Sequence, residues 1–321
     1  MSASARAYLD RLLVGKSPPM QRVKELIIKV APSDLAVLIE GETGTGKELA
    51  AEALHHLSGR SGKFVPVNVC AIPDSMFEAE LFGYVRGAFT GAAGEHVGLI
   101  AEACGGTLLL DEIGSLSLAG QAKLLRVIET KRYRRLGERC ERVSDFRLLS
   151  ASNSPIAQLV ATGAVRADLA FRLRGMSLEL PPLRQRGADK ARLATHFAGL
   201  VARTPGAGLR ISTGALERLE QHDWPGNVRE LKWLVASAAI LSSGDTICAG
   251  AVEATLRVPP AAGRAGTCAR TQTIDAIREA GGDAIRAASI LGVSRATLYR
   301  RARRAGVVPS TIRALEPPRG R

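Results

Sequence analysis

The sequence has 321 residues, of which 46% are apolar, 23% are charged and 4% are aromatic, with a net charge of +13 at neutral pH. This length is enough for two domains with buried cores, and the ordinary composition is typical of a globular protein. No apolar run approaches the ~18 residues of a membrane span. The five cysteines are odd in number and scattered, which favours reduced thiols in the cytoplasm over a disulfide framework or a zinc site.

The positive charge is concentrated at the C-terminal end. Residues 257–321 contain 13 arginines against four acidic residues, so this segment carries +9 of the total +13. A basic segment on a nearly neutral body points to a polyanionic partner for that segment, although a solubilising tail is the simpler alternative.

In chain order, Met1 to Leu13 reads as a short helical lead-in, since it has neither an apolar signal core nor a cleavage site. Strand-like runs then alternate with helical patterns up to about residue 180, which predicts an α/β fold with a largely parallel sheet. The predicted strands are 35–40, 65–70, 107–110, 146–152 and 176–180, and the predicted helices between them are 48–57, 121–130 and 167–173.

Beyond this sheet region, residues 189–256 show only helical patterns and predict a small all-α lid. A Pro-, Gly- and Ala-rich linker and a compact helical unit follow. The predicted division is a lead-in (1–14), an α/β subdomain (15–183), a lid (184–256), a linker (257–270), a helical DNA-binding domain (271–308) and a basic tail (309–321).

A phosphate-binding loop is predicted directly after the first strand. It consists of Gly41, Glu42, Thr43, Gly44, Thr45, Gly46, Lys47 and Glu48, and it opens a helix. Glycines let successive backbone N–H groups curl around phosphate oxygens, the helix N-terminus adds its dipole, and Lys47 reaches the β- and γ-phosphates. Glu48 departs from the general pattern, in which Ser or Thr at this position helps to hold magnesium.

Two carboxylates end the apolar strand at residues 107–110. Strand carboxyl ends in open α/β sheets are where ligands bind, so Asp111 and Glu112 should lie beside the phosphate loop. Asp111 suits Mg²⁺ coordination, and Glu112 suits polarising an attacking water, which predicts ATP hydrolysis rather than transfer to another substrate.

The phosphate loop and a second motif resemble the AAA+ domain of sigma-54-dependent activators, the bacterial enhancer-binding proteins. Glu80-Leu-Phe-Gly83 is followed by a hexapeptide that is close to diagnostic for that family, formed by Gly87, Ala88, Phe89, Thr90, Gly91 and Ala92. The resemblance implies that this loop contacts sigma-54. A glycine-flanked loop exposing one aromatic residue can change shape at low cost and still anchor a partner.

The resemblance also implies roles for four polar residues. Asn68 matches the residue that holds the catalytic glutamate in an inactive pose, and Asn153 matches the residue that senses the γ-phosphate. Arg166 and Arg172 match the arginines inserted into a neighbouring subunit's site. The alternatives are a buried structural Asn68, a turn-forming Asn153 and ordinary ion pairing of the arginines, with Asp168 as a partner. Val69-Cys70 replaces the family's usual Cys-Ala order.

In the lid, Trp224-Pro-Gly-Asn-Val-Arg-Glu-Leu231 resembles the family's second-sensor motif. We expect Asn227 to cap a helix, with Glu230 three residues on, and Arg229 to project towards the nucleotide from the first turn. The alternative for Arg229 is a solvated arginine.

The C-terminal unit resembles the Fis-type helix-turn-helix. Helices are predicted over 275–280 and 284–291, and a third begins after Ser294, with Leu298, Ala302 and Ala305 as its buried stripe. A non-specific basic helix is the alternative. The predicted DNA-contacting residues are Ser294, Arg295, Thr297, Tyr299, Arg300, Arg301 and Arg304.

Together these features predict a cytoplasmic, sigma-54-dependent transcriptional activator. The resemblance implies a homo-oligomeric ring, with a hexamer expected, that uses ATP and Mg²⁺ to remodel sigma-54 RNA polymerase while bound to upstream double-stranded DNA. Because only about 14 residues precede the match, regulation is expected from an inhibitor or co-activator acting in trans. The alternatives are a DNA-binding regulator independent of sigma-54 and a different AAA+ machine, such as a helicase loader or unfoldase.

Overall fold

The computed structural model describes residues 2–201, 209–242 and 244–257, and, towards the C-terminus, 273–274, 276–277, 279–281, 283–291, 293, 297–299 and 302. Contacts divide the chain into two compact units, residues 1–261 and 262–321, which are described separately.

The larger unit is built on a parallel sheet of five strands in the order β2-β3-β6-β1-β7. Its strands are mostly apolar and buried on both faces, as expected when helices cover both sides of a parallel sheet. The strands of the unit are β1 (Val37–Glu40), β2 (Phe64–Asn68), β3 (Thr107–Asp111), β4 (Arg132–Tyr133), β5 (Arg142–Val143), β6 (Arg147–Ser152), β7 (Met176–Glu179), β8 (Arg210–Ile211) and β9 (Thr246–Ile247).

Helices pack on both faces of this sheet and form the lid beyond it. They are α1 (Ser2–Leu12), α2 (Pro18–Val30), α3 (Lys47–His56), α4 (Phe77–Phe82), α5 (Leu99–Glu102), α6 (Leu118–Thr130), α7 (Ile156–Ala161), α8 (Ala167–Leu173), α9 (Asp189–Val201), α10 (Thr213–Gln221), α11 (Asn227–Leu241) and α12 (Ala249–Arg257). Within the described ranges, no helix has the length and apolar character needed to cross a membrane.

Two apolar clusters cover the sheet and a third forms the lid. One cluster packs the sheet against α6 and α8, and the other packs it against α1, α2 and α3. The lid core surrounds Trp224, which is completely buried and donates its indole N–H to the Leu219 carbonyl at 2.9 Å. The α/β sheet and helices predicted from the alternating patterns are confirmed, with ends that differ by at most three residues.

The predicted helical lid is confirmed, and it carries one short element that the sequence did not predict. β8 and β9 form a short parallel pair in which Arg210 lies opposite Thr246 and Ile211 opposite Ile247. Two-residue strands are too short to show the alternation of side chains by which a strand is recognised in a sequence.

In the C-terminal unit, α13 (Ala284–Leu291) forms as predicted. Leu298 and Ala302 are 0% and 1% exposed and pack with Ile277, Ala287 and Leu291, so the described part of the predicted stripe is buried. Ala305 lies outside the described residues.

Candidate nucleotide-binding and catalytic site

The loop between β1 and α3 forms a cradle at the carboxyl edge of the sheet. Gly44 and Gly46 adopt φ values of 81° and 102°, in the left-handed region that glycine occupies readily. Lys47 Nζ donates to the carbonyls of Gly41 at 2.8 Å and Glu42 at 3.2 Å. Thr45 Oγ1 also donates to the Glu42 carbonyl, at 2.8 Å. A closed loop with a lysine drawn across it and a helix N-terminus beneath it suits a phosphate chain.

The electrostatics of Lys47 link this loop to the two carboxylates after β3. Burial lowers the pKa of the Lys47 ammonium, whereas the nearby charges of Asp111 and Glu112 act in the opposite direction. Glu48 occupies the first turn of α3, where its carboxylate is favourably placed in the helix dipole.

Asp111 and Glu112 lie where the β3 strand ends. Asp111 Oδ1 accepts the Glu112 backbone N–H at 2.9 Å. Glu112 has φ 58° and ψ 47°, a left-handed conformation that is costly for a residue with a side chain and is typical of functional sites. Burial raises the pKa of the Glu112 carboxyl, and the Asp111 charge adds to this effect.

Asn68 and Cys70 approach this pair from the neighbouring strand. β2 places Asn68 opposite Asp111 in the sheet register. The Asn68 Oδ1 atom accepts the Cys70 backbone N–H at 2.9 Å, and the Cys70 thiol contacts Glu112 Oε2 at 2.7 Å. Sequence reasoning missed Cys70: the altered order Val69-Cys70 marks the position but does not indicate a contact with Glu112.

Asn153 follows β6 at the same edge of the sheet and is half-buried. The preceding residue, Ser152, accepts the Gly41 backbone N–H at 3.2 Å, so Asn153 directly follows a residue bonded to the phosphate loop. Its Oδ1 atom accepts from the Ser154 hydroxyl at 3.4 Å.

The lid touches the phosphate loop through the first turn of α11. The Val228 backbone N–H donates to the Gly44 carbonyl at 3.0 Å. Arg229, next in the chain, is close enough for its charge to act on the pKa values of both Lys47 and Glu112. The predicted second-sensor arginine therefore lies near both the loop lysine and the carboxylates.

The expected helix cap by Asn227 is wrong. Its Oδ1 accepts the Leu183 N–H at 2.7 Å, and its Nδ2 donates to Glu42 Oε2 and to the Thr43 carbonyl, both at 3.1 Å. Glu230 Oε2 accepts the Gly226 N–H at 2.7 Å instead. Asn227 is completely buried, and a buried amide joins the groups that tertiary packing brings to it.

Two arginines of the segment after β7 also bond residues of the phosphate loop. Arg184 pairs with the Glu42 carboxylate through two nitrogens, at 2.5 and 2.8 Å, and holds the pKa of that carboxyl below its usual range. Arg186, only 2% exposed, donates to the Thr45 carbonyl at 2.8 Å. Burial lowers the pKa of Arg186 to about 10.

The two predicted intersubunit arginines lie apart from this centre. Both arginines are exposed, with Arg166 directly before α8 and Arg172 in the last turn of that helix. Arg166 forms a two-point ion pair with Asp168, at 3.0 and 2.7 Å. Arg172 lies near the other end of α8, where it lines a cleft of about 910 Å³ with Lys131 and Phe171.

The glycine-flanked loop forms a tight turn. The Gly87 N–H donates to the Ala92 carbonyl and the Ala92 N–H donates to the Phe89 carbonyl, both at 3.0 Å. Phe89 is 42% exposed, and its ring meets the Tyr84 ring edge-on with centroids 5.0 Å apart. Gly87, Thr90 and Gly91 are exposed and Ala88 is half-buried, whereas Ala92 is buried beneath the turn and presents no surface to a partner.

Tyr84 is the junction between this turn and the β4–β5 hairpin. It exchanges two backbone hydrogen bonds with His96, at 3.0 and 2.9 Å, and bridges to Leu136 of the hairpin loop. The neighbouring bonds run from the Val85 N–H to the Leu136 carbonyl and from the Leu136 N–H to the Gly83 carbonyl, at 3.1 and 2.9 Å.

Of the predicted DNA-contacting residues, Thr297 and Tyr299 lie in a described helical turn and are half-buried on either side of Leu298. Ser294, Arg295, Arg300, Arg301 and Arg304 lie outside the described residues.

Comparison with known protein families places this geometry in context. Residues 13–179, more than half of the chain, match the family described as the sigma-54 interaction domain. The chain belongs to that family. Residues 184–266 match the AAA+ ATPase lid domain, and residues 274–304 match the Fis family of bacterial regulatory proteins.

Individual relatives agree with this assignment. The chain is 45% identical over 250 residues to the DNA-binding transcriptional regulator NtrC of Bradyrhizobium sp. (strain RP501 Parasponia), covering 78% of this chain and 52% of that protein. It is 36% identical to NtrC of Rhizobium meliloti (strain 1021), covering 92% of this chain and 70% of that protein. Of the Bradyrhizobium relative and several others it therefore spans about half the length.

Among solved structures, NtrX from Brucella abortus in complex with ATP is similar. It is 31% identical, with a TM-score of 0.69, and the match covers 92% of this chain and 69% of that one. This chain thus combines a sigma-54 interaction domain, an AAA+ lid and a Fis-type C-terminal unit, and NtrX resembles it in fold over 92% of this chain's length.

Proposed function

We propose that this chain is a sigma-54-dependent transcriptional activator that hydrolyses ATP to remodel sigma-54 RNA polymerase and drive open-complex formation. The main observation in support is that two features lie in one domain. One is the phosphate loop with Asp111 and Glu112 beside it, and the other is the exposed turn at Phe89 and Thr90. Membership of the sigma-54 interaction family joins these two features into one activity.

The ATPase proposal rests on this chain's own groups around the phosphate loop. Lys47 and the amides of residues 41–48 bind the phosphates, and Arg229 approaches them from the lid. Glu112 accepts a proton from the attacking water as its oxygen attacks the γ-phosphorus and ADP leaves. Asp111 would hold Mg²⁺, and the bound ion would neutralise charge on the phosphates. The half-buried carboxylate beside the lysine cradle fits that ion.

A homo-oligomer, which we expect to be hexameric, completes each site. Arg166 and Arg172 are exposed on α8, and an arginine from a neighbouring subunit is worth about 10³ to 10⁵ in the rate of phosphoryl transfer. Their exposure supports a role outside their own subunit. Asn153, which follows the loop-bonded Ser152, suits sensing of the γ-phosphate.

We place the remaining contacts on the turn and on the C-terminal unit. Phe89 and Thr90 bind sigma-54, while the helix-turn-helix unit binds upstream double-stranded DNA through its arginines. The proposed setting is the bacterial cytoplasm. The proposed control is an inhibitor or co-activator acting in trans.

Open-complex formation on a sigma-54 promoter, measured with ATP present, tests the proposal. We compare the wild type with Thr90→Ala and Glu112→Gln. The wild type should melt the promoter, Thr90→Ala should hydrolyse ATP without melting it, and Glu112→Gln should fail at hydrolysis.

Cys104→Ser, at an exposed residue outside the phosphate loop, the carboxylate pair and the turn, serves as the matched control and should behave as the wild type. If the wild type hydrolyses ATP yet never opens the promoter, the sigma-54 assignment falls and a regulator independent of sigma-54 replaces it.

A further inference from the structure

We infer that Cys70 is a positioning residue for hydrolysis, and that its thiol fixes which oxygen of Glu112 faces the attacking water. This inference rests on the proposed ATPase function and adds to it a residue that neither the phosphate-loop pattern nor the carboxylate pair includes.

The contact is specific in its atoms. The Cys70 Sγ atom lies 2.7 Å from Glu112 Oε2, and Cys70 is itself half-buried between two short turns. A carboxylate accepts hydrogen bonds only, so the thiol is the donor in this pair. A hydrogen bond on one carboxylate oxygen leaves the other, Oε1, to accept from water.

The position of the Cys70 thiol is set by the backbone turn that carries it and by Asn68. Cys70 lies in a short helical turn, Val69–Ala71, which Asn68 caps by accepting the Cys70 backbone N–H at 2.9 Å. Glu112 directly precedes a second short turn, Ile113–Ser115. Its left-handed backbone conformation sets the direction in which its side chain leaves the main chain. Asn68 therefore acts on Glu112 through Cys70, by setting the position of the sulfur.

The expected consequence of losing the thiol is a loss of orientation rather than of binding. A general base contributes about 10² to 10⁴ to a rate only when it is held within reach of the proton it accepts. Cys70→Ala leaves the carboxylate in place but free to rotate. We therefore expect kcat to fall about tenfold while KM for ATP stays within twofold.

Steady-state ATP hydrolysis by the full chain tests this, at protein concentrations above which specific activity no longer rises. The variants are Cys70→Ala, Cys70→Ser and Asn68→Ala, with Cys104→Ala as the control for removal of an exposed thiol. Serine keeps a donor of similar size, so Cys70→Ser should recover most of the lost kcat. Binding of a fluorescent ATP analogue and thermal unfolding establish that each variant folds.

Asn68→Ala should lower kcat in the same direction, and the double variant with Cys70→Ala should lose no more than Cys70→Ala alone. Wild-type kcat in Cys70→Ala, an increase in it, or an equal loss in Cys70→Ser would each overturn the inference. The Glu112→Gln variant distinguishes a failure of the proposed ATPase mechanism from a failure of the role inferred for Cys70. If that variant still hydrolyses ATP, the proposed ATPase mechanism itself fails; if it is inactive while Cys70→Ala matches the wild type, only the role of Cys70 fails.

Discussion

At the scale of single residues, Gly44 shows how closely the lid approaches the phosphate loop. Its φ is 81°, and a Cβ atom added there would lie 2.3 Å from the Gly226 carbonyl oxygen and 3.1 Å from Arg229 Cβ. No side chain fits between the two backbones. Glycine at this position is required for the second-sensor helix to come within hydrogen-bonding distance of the loop.

Gly44→Ala should therefore weaken ATP binding by more than backbone strain alone would, because the added Cβ atom also clashes with the lid. The strain of a left-handed alanine is about 1–2 kcal/mol, and Gly59→Ala, at φ 75° with open space around it, carries that cost alone. We expect Gly44→Ala to weaken ATP binding at least tenfold more than Gly59→Ala, as measured by titration with a fluorescent nucleotide. Equal losses in the two variants would show that the lid does not crowd the loop.

Arg166 gives a second prediction at this scale, because its ion pair with Asp168 is exposed on both sides. Solvent screens such pairs and they contribute little to stability, so Arg166 can leave Asp168 at little cost. Arg166→Ala should lower ATP hydrolysis about 10³-fold, whereas Arg192→Ala, an exposed arginine on α9, should not.

Mixing subunits tests whether Arg166 acts on a neighbour. Lys47→Ala subunits lack a working phosphate loop but carry Arg166, and Arg166→Ala subunits have the reverse defect. A mixture of the two inactive variants should recover hydrolysis. A mixture that stays inactive would place the action of Arg166 within its own subunit.

At the scale of elements, the phosphate loop and the lid are joined by three polar side chains. Arg184 and Asn227 both bond Glu42, and Arg186 bonds the Thr45 carbonyl. These residues come from the segment after β7 and from α11. The loop, the connecting segment and the lid therefore meet at one acidic side chain, and the lid's position depends on that meeting point.

Loss of this junction should affect nucleotide binding more than the chemical step. Arg184→Met removes the two-point pair with Glu42, and we expect KM for ATP to rise severalfold while kcat changes less than twofold. Glu42→Gln should have a similar effect, and the double variant should be less than additive because the two groups share one interaction. Additive effects would show that Arg184 and Glu42 act separately.

The elements themselves were largely predictable from the sequence. The strands at 37–40, 107–111 and 147–152 are short apolar runs bounded by turns, and their pattern is local. Asn227 and Cys70 were not predictable, because each acts on groups far along the chain: Asn227 on Glu42, and Cys70 on Glu112. A capping pattern such as that of Asn227 and Glu230 describes neighbours in sequence and is overruled when burial supplies other partners.

At the scale of the whole molecule, the segment that carries most of the positive charge nearly coincides with the second compact unit. Residues 257–321 carry +9, and the boundary between the two compact units falls within this segment, at residues 261 and 262. Neutralising phosphates with arginine releases counterions, so binding of DNA by this segment should weaken steeply as salt rises.

The double variant Arg295→Ala/Arg301→Ala should separate DNA binding from the motor. We expect unchanged ATP hydrolysis, weaker binding of the upstream site and a shallower dependence on salt, measured by fluorescence anisotropy at several salt concentrations. Open-complex formation should recover at high protein concentration, where tethering is no longer needed. A loss of ATPase activity would mean that the two units do not act independently.

The junction at Tyr84 has a consequence for how the exposed turn tolerates evolutionary change. The bonds that tie residues 83–85 to His96 and Leu136 are all between main-chain atoms. The side chains of residues 84 and 85 can change without removing a bond, whereas Gly83 is fixed because an added Cβ atom would lie 2.4 Å from the His96 carbonyl oxygen. The tip of the turn can therefore acquire new surface chemistry while staying attached to the same two segments. Proline, which has no backbone N–H, would remove one of these bonds at position 84, 85, 96 or 136. The fold thus separates the surface chemistry of the turn from its attachment to the rest of the domain.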